Sequence, residues 1–198
     1  MKKGKLLSVL ALVGLLVMSC ATTSSFVVPN TKGLSFDEAV KVLNTPEKIN
    51  AWMLRNLAWK IRSRAWYSPE QMYEKRIGSC IGWANLAAYL LDHNGYEVKV
   101  VFGRYASPRL TMSTSGHAVC AYKKDGKWHV AGDSRGMMGF QHGSFGLGAG
   151  PFKDLKGVAE YATTPYGLAD YEVDGAFLTF APKSLTQRYK DVKLNWPK

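Results

Sequence analysis

The sequence predicts an α+β fold: N-terminal helices and one central cysteine-bearing helix packed on an antiparallel sheet. Three observations carry this. Helix-start signals and helical periodicity fill the chain from Ser35 to Asn94. From Glu97 onward, short runs alternate apolar and polar residues, the two-residue period of strands. Two of these runs are joined by Lys123-Lys124-Asp125-Gly126, and an Asp-Gly pair between alternating runs is a strong hairpin signal. With 198 residues, 46% of them hydrophobic and 12% aromatic, the chain has enough apolar surface for one domain with a sizeable core.

The elements follow in order. Met1-Lys2-Lys3-Gly4-Lys5 is a positive leader and Leu6 to Val17 a short apolar run. A membrane span needs about 20 apolar residues, so this run is read as a targeting segment. It ends in Met18-Ser19-Cys20 and is followed by the polar stretch Ala21-Thr22-Thr23-Ser24-Ser25. That pattern resembles a bacterial lipoprotein signal. The resemblance implies a signal peptide over 1–19, lipidation of Cys20, a flexible lipidated tether over 20–33 and a folded domain over 34–198. The alternative is an ordinary secretory signal with an incidental cysteine; both readings send the chain across a membrane, and the expected location is the bacterial cell envelope.

Ser35 and Glu38 form a capping box that opens the first helix. Thr45-Pro46-Glu47 opens a second, in which Ile49, Trp52, Met53, Leu57 and Ile61 recur at helical spacing. Ser68-Pro69-Glu70-Gln71 opens a third, ending at Lys75-Arg76. Gly78-Ser79-Cys80 then reads as a tight turn, with Ser79 as N-cap, leading into a helix that stops at Asn94-Gly95. Ala84, Ala87, Ala88 and Leu91 give this helix a face that can approach a sheet closely. Glu97 to Gly103, Gly116 to Tyr122 and Lys127 to Gly132 are strands, and Arg104 to Ser115 is a polar loop. Gly136 to Gly150 is Gly-rich and reads equally as a lid or a surface loop. Phe152 to Ala162 is a short helix, Tyr171 to Phe180 late strand material with an Asp174-Gly175 turn, and Pro182 to Lys198 a basic tail.

Chemistry concentrates on three residues. A cysteine in the first turn of a helix is near the positive end of the macrodipole, which favours the reactive thiolate. Cys80 has that position. His117 begins one strand of the hairpin and Asp133 ends its partner, which makes them near neighbours across the ladder. A carboxylate there accepts a hydrogen bond from one imidazole nitrogen and leaves the other for the sulfur. Backbone N–H groups at the helix start are available to a developing oxyanion. Cys120 falls on the strand face opposite His117 and reads as a buried apolar residue, the alternative being a disulfide with Cys80.

The residues that carry these features resemble a family. Gly78-Ser79-Cys80, the run Ala84 to Leu91, Asn94 to Gly103, Gly116-His117-Ala118-Val119, Asp125 to Val130 and Asp133 are similar, in order, to the transglutaminase-like cysteine core of bacterial proteins. The resemblance covers roughly residues 66–134. It implies a papain-like fold with the nucleophile helix packed on an antiparallel sheet. It also implies Cys80 as nucleophile, His117 as general base and acid, and Asp133 as orienter. The chain departs from the pattern at Ser79, where an acidic residue is common, and at Ser134-Arg135-Gly136, where a Pro-containing turn is common.

The expected function is thiol-mediated acyl transfer on peptide or amide bonds, as a peptidase or a transamidase. The alternatives are a papain-like cell-wall endopeptidase and a non-catalytic scaffolding lipoprotein that keeps the fold. The expected partners are a peptide, protein or cell-wall peptide substrate and a membrane reached through the lipid anchor. The formal net charge of +11 includes Lys2, Lys3 and Lys5 of the leader, and the remaining basic residues form no dense run. No nucleic-acid recognition motif is present, so that partner is not expected. No C-x-x-C spacing occurs, and His93, His117, His129 and His142 are too dispersed for a shared metal. No cofactor is implied.

Overall fold

A computed structural model of the chain describes residues 27–60, 67–106, 116–135 and 148–174. The leader, Cys20, the tether as far as residue 26, the core of the 104–115 loop, the Gly-rich stretch through 147 and the tail lie outside these residues.

Helix α1 (Phe36–Val42) opens on the expected capping box. Glu38 N–H donates to Ser35 Oγ, and Ser35 N–H donates to the Glu38 carboxylate at 2.8 Å. Helix α2 (Pro46–Asn56) has Thr45 as N-cap and Pro46 in its first turn. The periodicity that predicts a helix as far as Ile61 is cut short. Leu57 turns extended, and strand β1 (Ala58–Trp59) pairs in parallel with β2 (Ile77–Gly78). Ala58 N–H donates to Arg76 O at 2.7 Å, so the chain exchanges helical bonds for bonds to the segment leading to Cys80. Leu57 stays buried in either conformation, which is why periodicity alone cannot locate the stop. Helix α3 (Pro69–Lys75) carries a second capping box, Ser68 with Gln71, and ends on Arg76 at φ 57°.

Helix α4 (Cys80–His93) ends at Asn94, with Gly95 at φ 83° supplying the left-handed residue after it. Every residue from Ile81 to Leu91 is buried, so the helix is enclosed all round rather than along one face. Two expectations at its entry change. Ser79 is the N-cap residue, yet its side chain makes no capping bond. Gly78 has no left-handed torsion, and a Cβ there would lie 2.3 Å from Met72 Sδ and displace the end of that side chain.

The sheet comprises β3 (Val98–Tyr105), β4 (Gly116–Lys124), β5 (Lys127–Ala131), β6 (Ala149–Phe152) and β7 (Leu168–Val173). Their order is β6-β5-β4-β3-β7, and each neighbouring pair is antiparallel. The β4–β5 hairpin turns on Asp125 at φ 52° and Gly126 at φ 74°. Positive φ at both central residues matches the twist of the flanking strands, as a two-residue hairpin requires. Arg104 and Tyr105 continue β3 instead of opening a loop. Asp170 and Glu172 of β7 hold Arg104 there. Helix α5 (Leu155–Thr163), capped by Asp154, follows β6.

The strand period places these parts in three layers. Val100, Phe102, Ala118, Cys120, Tyr122 and Ala131 face α1 to α4 in the larger core. Val101, Val119, Ala121 and Val130 face α5 in the smaller one. Both faces of the central strands are therefore dry. Cys80 and Cys120 are free thiols, and Cys120 is a core residue; there is no disulfide between them.

Gly132 is where α4 meets the exit of β5. It sits at φ 65°, and an added Cβ would lie 2.6 Å from Ala87 Cβ and 2.9 Å from Trp83 O. Asn50 Oδ1, from α2, accepts the Gly132 N–H at 3.0 Å. Gly132→Ala combines a left-handed non-glycine with an overpacked contact. It is expected to cost about 2–4 kcal/mol of unfolding free energy, read as a lowered urea midpoint at unchanged slope.

Candidate active site

Three elements bring the chemistry together. Helix α4 presents Cys80 in its first turn, β4 presents His117 one residue from its start, and the chain leaving β5 presents Asp133. Gly132 allows the last of these to pass close under α4. The paired ladder of the hairpin ends at Cys120 opposite Ala131, so Asp133 lies just past the regular pairing.

His117 Nε2 donates to Asp133 Oδ1 at 2.9 Å, and both side chains are buried. The imidazole also bonds the Cys80 thiol, so with Nε2 engaged by the carboxylate, Nδ1 is left for the sulfur. The structure thus brings the three residues singled out by the sequence into one chain of contacts. Dense protein surrounds the sulfur, yet Cys80 keeps part of its surface open to solvent.

The electrostatics favour a separated proton. Burial pushes the Cys80 thiol up, but the His117 bond and charge, with backbone N–H groups of Ala118 and Ile81, outweigh it and leave the thiol below its ordinary value. Burial likewise disfavours a charged His117. The bonds and charges of Asp133 and Cys80 win, and the imidazole is raised to about 9. Both shifts act in the direction of a thiolate beside an imidazolium. Burial alone would protonate Asp133. Its bonds to His117 and Arg135 hold it instead far below the usual carboxylate range.

Arg135 is the residue that sequence reasoning missed. Its Nε lies 3.1 Å from both Asp133 oxygens and its Nη2 2.6 Å from Oδ2, a forked pair. Its Nη1 donates to the carbonyls of Tyr161 and Ala162 at 2.8 and 3.1 Å. The guanidinium also lies 4.4 Å from the centre of the Tyr161 ring. Asp133 and Arg135 are only two residues apart, a spacing common in surface turns. Nothing in the sequence shows that this pair is 8% and 3% exposed. Asn50 offered a fainter signal, a polar residue three and seven positions before Met53 and Leu57 on the apolar stripe of α2.

The polar neighbours of Tyr105 read as a loop, but Tyr105 belongs to β3 beside the site. Its phenol is pushed up to about 12, chiefly by burial and then by the charge of Cys80. Trp66, the 107–115 loop, the 136–147 stretch and His142 lie outside the described residues.

Residues 36–132 match the family model of the transglutaminase-like superfamily. The chain carries a transglutaminase-like core. The match ends one residue before Asp133. No curated protein matches the sequence. Among solved structures, calcium-bound LapG of Legionella pneumophila is 18% identical over 49% of this chain and 59% of its own, with TM-score 0.37. A candidate cysteine protease of Cytophaga hutchinsonii is 17% identical over 72% of this chain and 47% of its own, TM-score 0.40. A structure titled a TGase is 15% identical over 70% of this chain and 39% of its own, TM-score 0.38. The chain thus spans roughly two fifths to three fifths of each of these proteins.

Two outcomes follow for the transglutaminase-like site. Arg135→Met leaves the Asp133 carboxylate buried without its forked partner and is expected to cost about 3–5 kcal/mol in denaturant unfolding. The lowered thiol and raised imidazole both act to hold the thiolate as the pH falls. Iodoacetamide labelling of Cys80 should therefore slow by less than about tenfold from pH 8 to pH 6, where an ordinary thiol slows by nearly a hundredfold. The His117→Ala variant should regain the ordinary drop.

Proposed function

We propose that this transglutaminase-like protein is an exported, lipid-anchored enzyme that cleaves or transfers the acyl group of peptide amide bonds through a Cys80–His117–Asp133 site. The observation that carries the reading is the imidazole of His117. It bridges the thiol of Cys80, a residue only partly buried at a helix start, and a buried carboxylate. The peptide or protein substrate class rests on the family and on the cysteine-protease and TGase titles of its structural relatives.

In this reading the Cys80 thiolate attacks the amide carbonyl carbon, and an S–C bond forms as the carbonyl π pair moves onto oxygen. Backbone N–H groups at the start of α4 stabilise that oxyanion. The His117 imidazolium gives its proton to the amide nitrogen, the C–N bond breaks and the amine leaves. A thioester on Cys80 remains. Neutral His117 then takes a proton from water, which attacks the thioester, giving a carboxylic acid and regenerating the thiolate and imidazolium. An amine in place of water completes a transamidation. Asp133 keeps the imidazole in one tautomer and orientation, and Arg135 keeps Asp133 ionised although buried.

The export and anchoring part rests on the leader residues and on Cys20, the proposed acylation site. It places the domain at the envelope face of a membrane, within reach of cell-wall peptides.

p-Nitrophenyl acetate tests the chemical part without a known substrate. The wild-type chain should release a burst of one nitrophenol per molecule and carry an acetyl group on Cys80 by mass spectrometry. Cys80→Ala and His117→Ala should each lower the acylation rate by about three orders of magnitude or more. Absence of a burst from folded wild-type protein would favour the scaffolding alternative. Cys20→Ala should move the chain from the membrane fraction to the soluble envelope fraction, leaving esterase activity intact.

A further inference from the structure

A second feature lies away from the sulfur, where the tether enters the domain. Residues 28–32 cross the ends of α2 and α3 and leave a cavity of about 480 Å³, lined among others by Asn30, Lys32, Arg55, Asn56 and Arg76. Its walls are built rather than incidental. Thr31 is 4% exposed, and its hydroxyl accepts from Trp52 Nε1 at 2.7 Å while its carbonyl accepts from Tyr73 OH at 3.1 Å. The Arg76 guanidinium lies 4.1 Å from the Tyr73 ring centre and 4.5 Å from that of Trp52, whose rings are themselves stacked. Stacking of this kind fixes a guanidinium plane and leaves its N–H edge free to bind.

The charge in the cavity is unbalanced. Among the described residues, three cations line it and no carboxylate does. Cations are common at helix C-termini because each terminus carries about half a negative charge. Two such termini, those of α2 and α3, adjoin this cavity. They offset about one charge of the three, leaving an excess of about two. Arg76 Nη1 is itself sealed within the protein, so a ligand in the cavity would meet the other guanidinium nitrogens.

We propose that this cavity, bounded by Lys32, Arg55 and Arg76, is an oxyanion site that takes a phosphate group. A phosphate dianion matches the excess charge, and its oxygens suit the fork of Arg76. The Asn30 and Asn56 amides lie in the same lining, and the volume leaves room for the group that bears the phosphate. The site is independent of the acyl-transfer reading and needs no activity at Cys80.

The test is a titration of the full chain with inorganic phosphate at constant ionic strength. Binding is followed by calorimetry and by the fluorescence of Trp52, which lies beneath Arg76. Saturable binding with a Kd of about 1 mM or tighter is expected, weakened about tenfold or more by Arg76→Gln. Arg55 is exposed, so Arg55→Gln folds without difficulty and should weaken binding as well. Two competitors distinguish the source of the phosphate. Displacement by dihexanoyl-phosphatidylglycerol below its micellar concentration identifies a lipid headgroup. Displacement by glycerol phosphate alone identifies a soluble monoester. A titration that never saturates, or a Kd unchanged in both variants, overturns the proposal.

Discussion

The arrangement of the site depends on one buried carboxylate. Asp133 is 8% exposed, and a charge there has lost most of its hydration, a loss worth several kcal/mol. It stays ionised because two partners share it. His117 takes one edge, and Arg135 supplies a fork and a permanent positive charge. Arg135 is in turn held by carbonyls at the end of α5 and by the Tyr161 ring. The helix on the far side of the sheet therefore anchors the cation that anchors the carboxylate that orients the imidazole.

This relay runs across the sheet rather than along the chain. The thiol comes from the layer packed on the larger core, the imidazole from a central strand, and the guanidinium's support from the layer packed on the smaller core. The sheet must be dry on both faces for the pair to be buried, and it is along the middle of β4 and at Val130 and Ala131 of β5. Gly132 is the point of closest approach. It lets the α4 backbone lie within contact of the strand exit that delivers Asp133, and Asn50 ties that exit to α2. The N-terminal helices thus do more than cover the sheet. They fix the position of the segment that carries Asp133, on which the proposed chemistry relies.

Much of this could be read in the residues, for local reasons. The capping boxes at Ser35 and Ser68, the Asp125-Gly126 turn and the Asn94-Gly95 stop are short-range signals, and each is found where the sequence puts it. Where the reading failed, a long-range contact decided. Helix α2 stops at Asn56 because β1 pairs with the segment before Cys80. Arg104 and Tyr105 are strand because β7, more than sixty residues later, pairs with them. Ser79 makes no capping bond, and Gly78 makes way for Met72.

The sequence by itself determined the α+β class, the main helices, the central hairpin and the three candidate residues Cys80, His117 and Asp133, since each sits at an element end marked by cap, turn or alternation. Tertiary structure decided that these three touch, that Asp133 is ionised although buried, and that Arg135, a residue of unremarkable context in the chain, sustains it. The reason is physical. Periodicity and capping act over a few residues, whereas burial and charge balance are sums over neighbours that only the folded chain brings together.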